Sequence, residues 1–156
     1  MADHARIIYT AEAHVTGGRA EGHGRTSDGA LEVDLRIPEE MGGSGGGTNP
    51  EQLFAVGYAA CFESALGAVA RRRRLEAGDV AVDSKVMLKP GDDRTYRLAV
   101  ELAVNLPSVD DPEEAVDLVR AAHKVCPYSN ATRGNVDVAL TANGRDVDER
   151  SDSIAA

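Results

Sequence analysis

The side chains in this chain best equipped for chemistry are its two cysteines, Cys61 and Cys126. A thiolate is a strong nucleophile; a helix N-terminus or a nearby cation favours it, and apolar surroundings disfavour it. Cys61 stands among Ala59, Ala60 and Phe62, more than two turns into the helix the sequence predicts around it, so it is inert unless a basic side chain reaches it from elsewhere. Cys126 falls at a predicted helix C-terminus, where the macrodipole opposes negative charge. Two readings stand side by side. Both thiols are small buried hydrophobes, or they are a reactive pair in which Cys61 attacks and Cys126 resolves. None of the four histidines pairs at metal-ligand spacing with another His or a Cys, so no metal site is expected.

The elements that must position these thiols follow from periodicity. Arg6 to Gly18 reads as a strand entering a Gly17-Gly18 turn, Arg19 to Arg25 returns from it, and Leu31, Val33, Leu35 and Ile37 alternate with charges as a half-buried strand. Gly42 to Gly47 is nearly all glycine and reads as a flexible loop; Thr48 stands where a phosphate loop needs Lys, so no such loop is expected. Thr48-Asn49-Pro50-Glu51 is a helix start, with a capping side chain, proline at the first helical position and an acid in the first turn. From Leu53 to Val69 that helix is apolar almost all round, which predicts the buried centre of the fold. Arg71 to Arg74 close it as a solvated basic end.

Val80 to Leu88 and Tyr96 to Leu106 alternate as strands about a turn at Pro90-Gly91-Asp92-Asp93. Asp111-Pro112-Glu113-Glu114 opens a second helix with the apolar stripe Ala115, Leu118, Val119, Ala122 and Val125. Pro127 disfavours its continuation. On that helix His123 reads as half-exposed. Ser129 to Arg133 is a short helical turn closed by Gly134, and Val136, Val138 and Leu140 make a last strand. The expected fold is α+β, with antiparallel sheets packed around a buried central helix. The domain spans residues 1–142, and 143–156 are a polar, flexible tail. The chain has no sequence repeat.

Composition bounds the function. A chain of 156 residues forms one domain by default and builds a core without disulfide staples. Its net charge of −9 repels phosphates and anionic lipid heads, and with 4% aromatics and no Trp it offers no base-stacking platform, so nucleic acid and membrane partners are not expected. The longest apolar run, Leu53 to Ala70, is interrupted by Glu63 and is shorter than a membrane helix requires. The first ten residues lack the apolar core of a signal peptide, which points to the cytoplasm. There a purely structural disulfide is disfavoured.

Cys126-Pro127-Tyr128-Ser129 is similar to a glutaredoxin motif without its second cysteine. That fold sets the motif early, between a buried strand and a helix start; here it comes late, after an amphipathic helix, and the reading is rejected. A far longer match is specific. Thr48 to Ala55, continuing through Gly57-Tyr58-Ala59-Ala60-Cys61-Phe62, resembles the first signature of the organic hydroperoxide resistance proteins of the OsmC/Ohr superfamily. Val125 to Asn135 resembles the second, and Tyr9 to Ala13 with Gly17-Gly18-Arg19 the opening hairpin. The resemblance spans residues 6 to 141 and departs from the pattern at Lys85 to Thr95, where the family usually has a glycine-rich strand and turn.

The resemblance implies an intertwined homodimer acting as a thiol peroxidase on organic and fatty-acid hydroperoxides. By position, Cys61 matches the peroxidatic cysteine, Cys126 the resolving one, Arg19 the arginine that activates the thiol and Glu51 the carboxylate that holds that arginine. The apolar residues Leu53, Phe54, Tyr58 and Phe62 are candidates to line a pocket for an alkyl chain. No bound cofactor is implied; the reductant is an external dithiol, dihydrolipoamide or a lipoylated protein. A second class of reading keeps the same thiols in a non-catalytic redox sensor or oxidised-lipid binder. Glu51 and Cys61 are ten residues apart, about 15 Å along a straight helix. One guanidinium cannot easily serve both within a chain, so either Arg19 and Glu51 act on the Cys61 of another subunit or the helix breaks near Gly57.

Overall fold

The computed structural model describes residues 5–147, which divide into two compact units, one reaching to Leu53 and one running from Phe54. The first unit is a three-stranded antiparallel sheet, β1 (Ala13–Thr16), β2 (Gly22–Thr26) and β3 (Glu32–Leu35), in that order. The first strand is shorter than its sequence suggests, and all four of its residues are exposed. The β1–β2 turn requires glycine: Gly17 has φ +74°, and a Cβ there would lie 2.2 Å from the Glu21 carbonyl oxygen.

The glycine run after β3 is a loop, as expected, and two of its amides are bonded back to the preceding segment. The Gly43 amide donates to Pro38 O and the Gly45 amide to Ile37 O. A Cβ on Gly43 would sit 2.1 Å from Ile37 O, so close backbone approach is what selects glycine here. The strand and the next helix are tied together, since Thr48 N donates to Asp34 O and Arg36 N to Thr48 O.

Helix α1 (Pro50–Arg72) starts where the capping residues predict, with Asn49 Oδ1 accepting from Gln52 N at 2.9 Å. It runs unbroken through Gly57, which removes the alternative of a helix break there. At 23 residues, extending past the Leu53–Ala70 run at both ends, it is long and apolar enough by length and composition to cross a membrane, in contrast to the sequence expectation. Its residues Tyr58, Phe62 and Leu66 are wholly enclosed by the second unit, as the central helix of a core.

In that second unit β4 (Ala81–Pro90) pairs antiparallel with β5 (Tyr96–Asn105), in register Val82↔Val104, Ser84↔Leu102 and Val86↔Val100. α2 (Pro112–Val125) and α3 (Pro127–Thr132) then lead to β6 (Asp137–Ala142), which lies parallel to β5 with Val100↔Val138 and Leu102↔Leu140. The sheet is therefore mixed where an all-antiparallel one was expected. Two helices intervene between β5 and β6, and a crossover of that kind returns the chain in the same direction. Alternate β5 residues Val100, Leu102 and Val104 meet Phe62, Leu66, Leu118, Val119 and Leu140 in one core.

A short strand β7 (Arg145–Asp146) pairs with β6 inside the segment expected as tail, and Val147 N donates to Leu140 O. The turn is Asn143-Gly144, both at positive φ, and Asn143 Oδ1 accepts from Leu106 N at 2.7 Å. The remainder of that segment, from residue 148, lies outside the described residues.

Candidate active site

The second unit brings the two thiols together. Both cysteines are free; Cys61 is half-buried, Cys126 wholly buried, and their Sγ atoms are 3.6 Å apart, Cys126 donating. A disulfide needs about 2.05 Å, so bonding requires an approach of about 1.5 Å. The partners come from well-fixed elements. Cys61 sits mid-way along α1; Cys126 is the single residue between α2 and α3, its N–H bonded to Ala122 O and its C=O accepting from Asn130 N. Pro127 begins α3 at the position where a missing N–H is harmless.

The electrostatics of Cys61 follow from these neighbours. Burial pushes its thiol up from the ordinary value, the Tyr128 backbone N–H pulls it back down, and the Cys126 side chain pushes it up again. The net direction is upward, towards the protonated and unreactive form.

The first unit builds a charged pair. Arg19, at the tip of the β1–β2 turn, donates through Nη1 to Glu51 Oε2 at 2.8 Å and through Nη2 to Glu51 Oε1 at 2.6 Å. This is the parallel, two-bond geometry in which a guanidinium fork matches a carboxylate. Arg19 holds the Glu51 carboxyl below the usual range, with partial burial opposing it. Arg19 is the more open partner, its side chain being 44% exposed against 16% for Glu51.

The four pocket candidates are placed differently from one another. Tyr58 and Phe62 are fully buried and present no surface to a ligand. Leu53 is exposed, and Phe54 is half-buried. Tyr128, missed in the sequence, completes an aromatic group with Phe54 and Tyr58, with ring centroids 5.8 to 5.9 Å apart. Its ring also covers Gly57, where an added Cβ would meet the phenol oxygen at 3.1 Å. His123 is buried rather than half-exposed, and its Nδ1 is 2.8 Å from Ser129 Oγ. The signal was present: His123 stands four residues after Val119, on the stripe that also carries Ala115 and Ala122.

A helix-borne thiol beside a second thiol, with a bidentate Arg–Glu pair elsewhere in the chain, defines a class that comparison makes specific. The family model described as OsmC-like protein matches residues 43–141. The organic hydroperoxide resistance protein of Xanthomonas axonopodis pv. citri (strain 306) is 52% identical over 145 residues, covering 90% of this chain and 99% of its own. Among solved structures, an organic hydroperoxide resistance protein from Legionella pneumophila superposes with TM-score 0.83 at 50% identity, covering 86% of this chain and 97% of that one. A Vibrio cholerae O1 structure, described as a putative organic hydroperoxide resistance protein with captopril bound in one of its active sites, superposes with TM-score 0.86 at 45% identity, covering 92% and 97%. The chain belongs to the OsmC-like family, in its branch of organic hydroperoxide resistance proteins.

Proposed function

We propose that this protein reduces organic and fatty-acid hydroperoxides with its two cysteines, in defence against oxidative stress. The Cys61 thiolate attacks the distal peroxide oxygen; the O–O bond breaks, the alkoxide takes a proton and leaves as alcohol, and Cys61 becomes a sulfenic acid. The Cys126 thiol then displaces the sulfenic hydroxyl as water and forms the Cys61–Cys126 disulfide. An external dithiol, dihydrolipoamide or a lipoylated protein, reduces it by thiol–disulfide exchange and becomes a disulfide itself. The observation that carries this reading is the 3.6 Å separation of two free thiols held by separate helices.

Arg19 supplies what Cys61 lacks. Its fixed charge favours the thiolate, and its fork donates to the peroxide oxygens as charge develops on the leaving alkoxide. Glu51 orients the fork. Because α1 is unbroken, Glu51 lies about 15 Å along the helix from the Cys61 of its own chain. The Arg19–Glu51 pair of one chain therefore serves the thiol of a second copy in a homodimer. Leu53, Val56 and Ala60 support this, forming an exposed, largely apolar strip on α1, with Val56 72% exposed. The substrate's alkyl chain rests against Phe54 and Tyr128, and the protein acts in the cytoplasm.

The test is to mix reduced protein with cumene hydroperoxide and dihydrolipoamide and to follow cumyl alcohol. Continuous turnover is the expected result. Oxidation of one equivalent without turnover would instead assign the thiols to a redox sensor, and thiols that stay reduced would exclude both.

A further inference from the structure

Beneath the thiol pair runs a buried chain of polar groups. Tyr58 Oη lies 2.9 Å from Ser129 Oγ and 3.1 Å from Thr132 Oγ1, Ser129 Oγ lies 2.8 Å from His123 Nδ1, and Thr132 Oγ1 donates to Ser129 O at 3.1 Å. All four side chains are buried. Tyr58 precedes Cys61 on α1 by three residues and Ser129 follows Cys126 by three, so the Tyr58–Ser129 bond lies about one turn from the sulfur contact. It crosses between the same two elements. Arg133 adds a tie, donating through Nη2 to His123 O at 2.6 Å.

Counting hydrogens gives the chain a direction. Each hydroxyl has one hydrogen to give. Thr132 gives its hydrogen to the Ser129 carbonyl, so Tyr58 must give its own to Thr132, Ser129 must give its own to Tyr58, and His123 Nδ1 must carry the hydrogen donated to Ser129. With the opposite orientation at His123, the Tyr58–Thr132 contact would have no hydrogen.

Resting on the peroxidase reading, we propose that His123, Ser129 and Tyr58 are positioning residues that latch the Cys126 turn to α1. The latch decides which of two reactions the Cys61 sulfenic acid undergoes. Attack by Cys126 gives disulfide and water. Attack on a second hydroperoxide gives sulfinic acid and alcohol, a product the second thiol cannot rescue. A loose turn lowers the first rate and leaves the second alone, so the latch protects the enzyme from inactivation.

The experiment pulses the reduced full-length protein with cumene hydroperoxide and reads the sulfinic-to-disulfide ratio by intact mass, a ratio independent of how fast Cys61 is first oxidised. Ser129→Ala and His123→Leu are expected to raise it about fivefold, the factor a lost hydrogen bond of ordinary strength gives. His123→Asn, which can place an N–H where Nδ1 stood, should restore most of the parent ratio. In the parent protein, whatever the variants' folding, 15N NMR should find Nδ1 of His123 protonated. Unchanged ratios in Ser129→Ala and His123→Leu, or a bare Nδ1, would overturn the latch. A parent whose Cys61 stays reduced under peroxide would instead remove the peroxidase reading.

Discussion

The two units of this chain solve opposite electrostatic problems. The first holds a fixed charge near solvent: Arg19 and Glu51 meet in a two-bond pair at the tip of a turn and the start of a helix. The second withholds water from neutral groups, with Cys126, Ser129 and Tyr58 fully buried and Cys61 pushed towards its protonated form. A reactive thiolate needs both environments, a dry pocket to sharpen charge interactions and a cation to make the charge worth forming. The exposed ion pair responds to salt and pH, the buried groups to packing.

That contrast is broken most completely by Cys61→Ser, which should abolish cumene hydroperoxide turnover while leaving the fold intact by circular dichroism. Arg19→Ala should slow Cys61 oxidation by about 100- to 1,000-fold, the scale of losing a preorganised charge donor, and raise the Cys61 titration midpoint. Arg19→Lys should recover only part of that, since a point charge lacks the fork. An unchanged midpoint in Arg19→Ala would separate the two halves functionally.

Mixing Cys61→Ser and Arg19→Ala subunits sharpens the comparison further. A heterodimer with sharing across copies regenerates one complete site and should show near half of parental turnover per dimer. An inactive heterodimer would rule sharing out. On the scaffold, Gly17→Ala should destabilise by about 1–3 kcal/mol in urea melts, since both the positive φ and the Glu21 carbonyl oppose a side chain. The smallest effect is protonic. Because the folded Glu51 pKa is depressed, the pair's contribution is present above the unfolded value and fades only as pH falls through the folded one. A carboxyl midpoint by 13C NMR at or above about 4.3, the ordinary glutamate value, would contradict the paired geometry.

Much of this was readable in the residues because the signals were local. Asn49, Pro50 and Glu51 announce the start of α1, and the alternation from Tyr96 to Leu106 announces β5. What escaped was long-range or hidden by polarity. The parallel β5–β6 pairing depends on where two helices return the chain, which alternation along one strand does not encode. His123 lies on an apolar stripe, and the Ser129 hydroxyl that meets its ring in the core stands six residues on, beyond the end of that helix. Val125, by contrast, was placed on that stripe and is exposed, because the helix ends there. The Asn143-Gly144 hairpin was overlooked within a polar stretch, although that dipeptide is a strong turn signal. In the Arg19–Glu51 pair the two partners stand 32 positions apart, and the resemblance, not the local pattern, linked them.

The sulfur contact has one more consequence. It joins positions 65 residues apart, so closing it into a covalent bond would restrict the unfolded chain severely, by up to about 4 kcal/mol at room temperature. On that reckoning the oxidised form is the harder of the two to melt, and a molecule stranded without reductant waits in its most durable state.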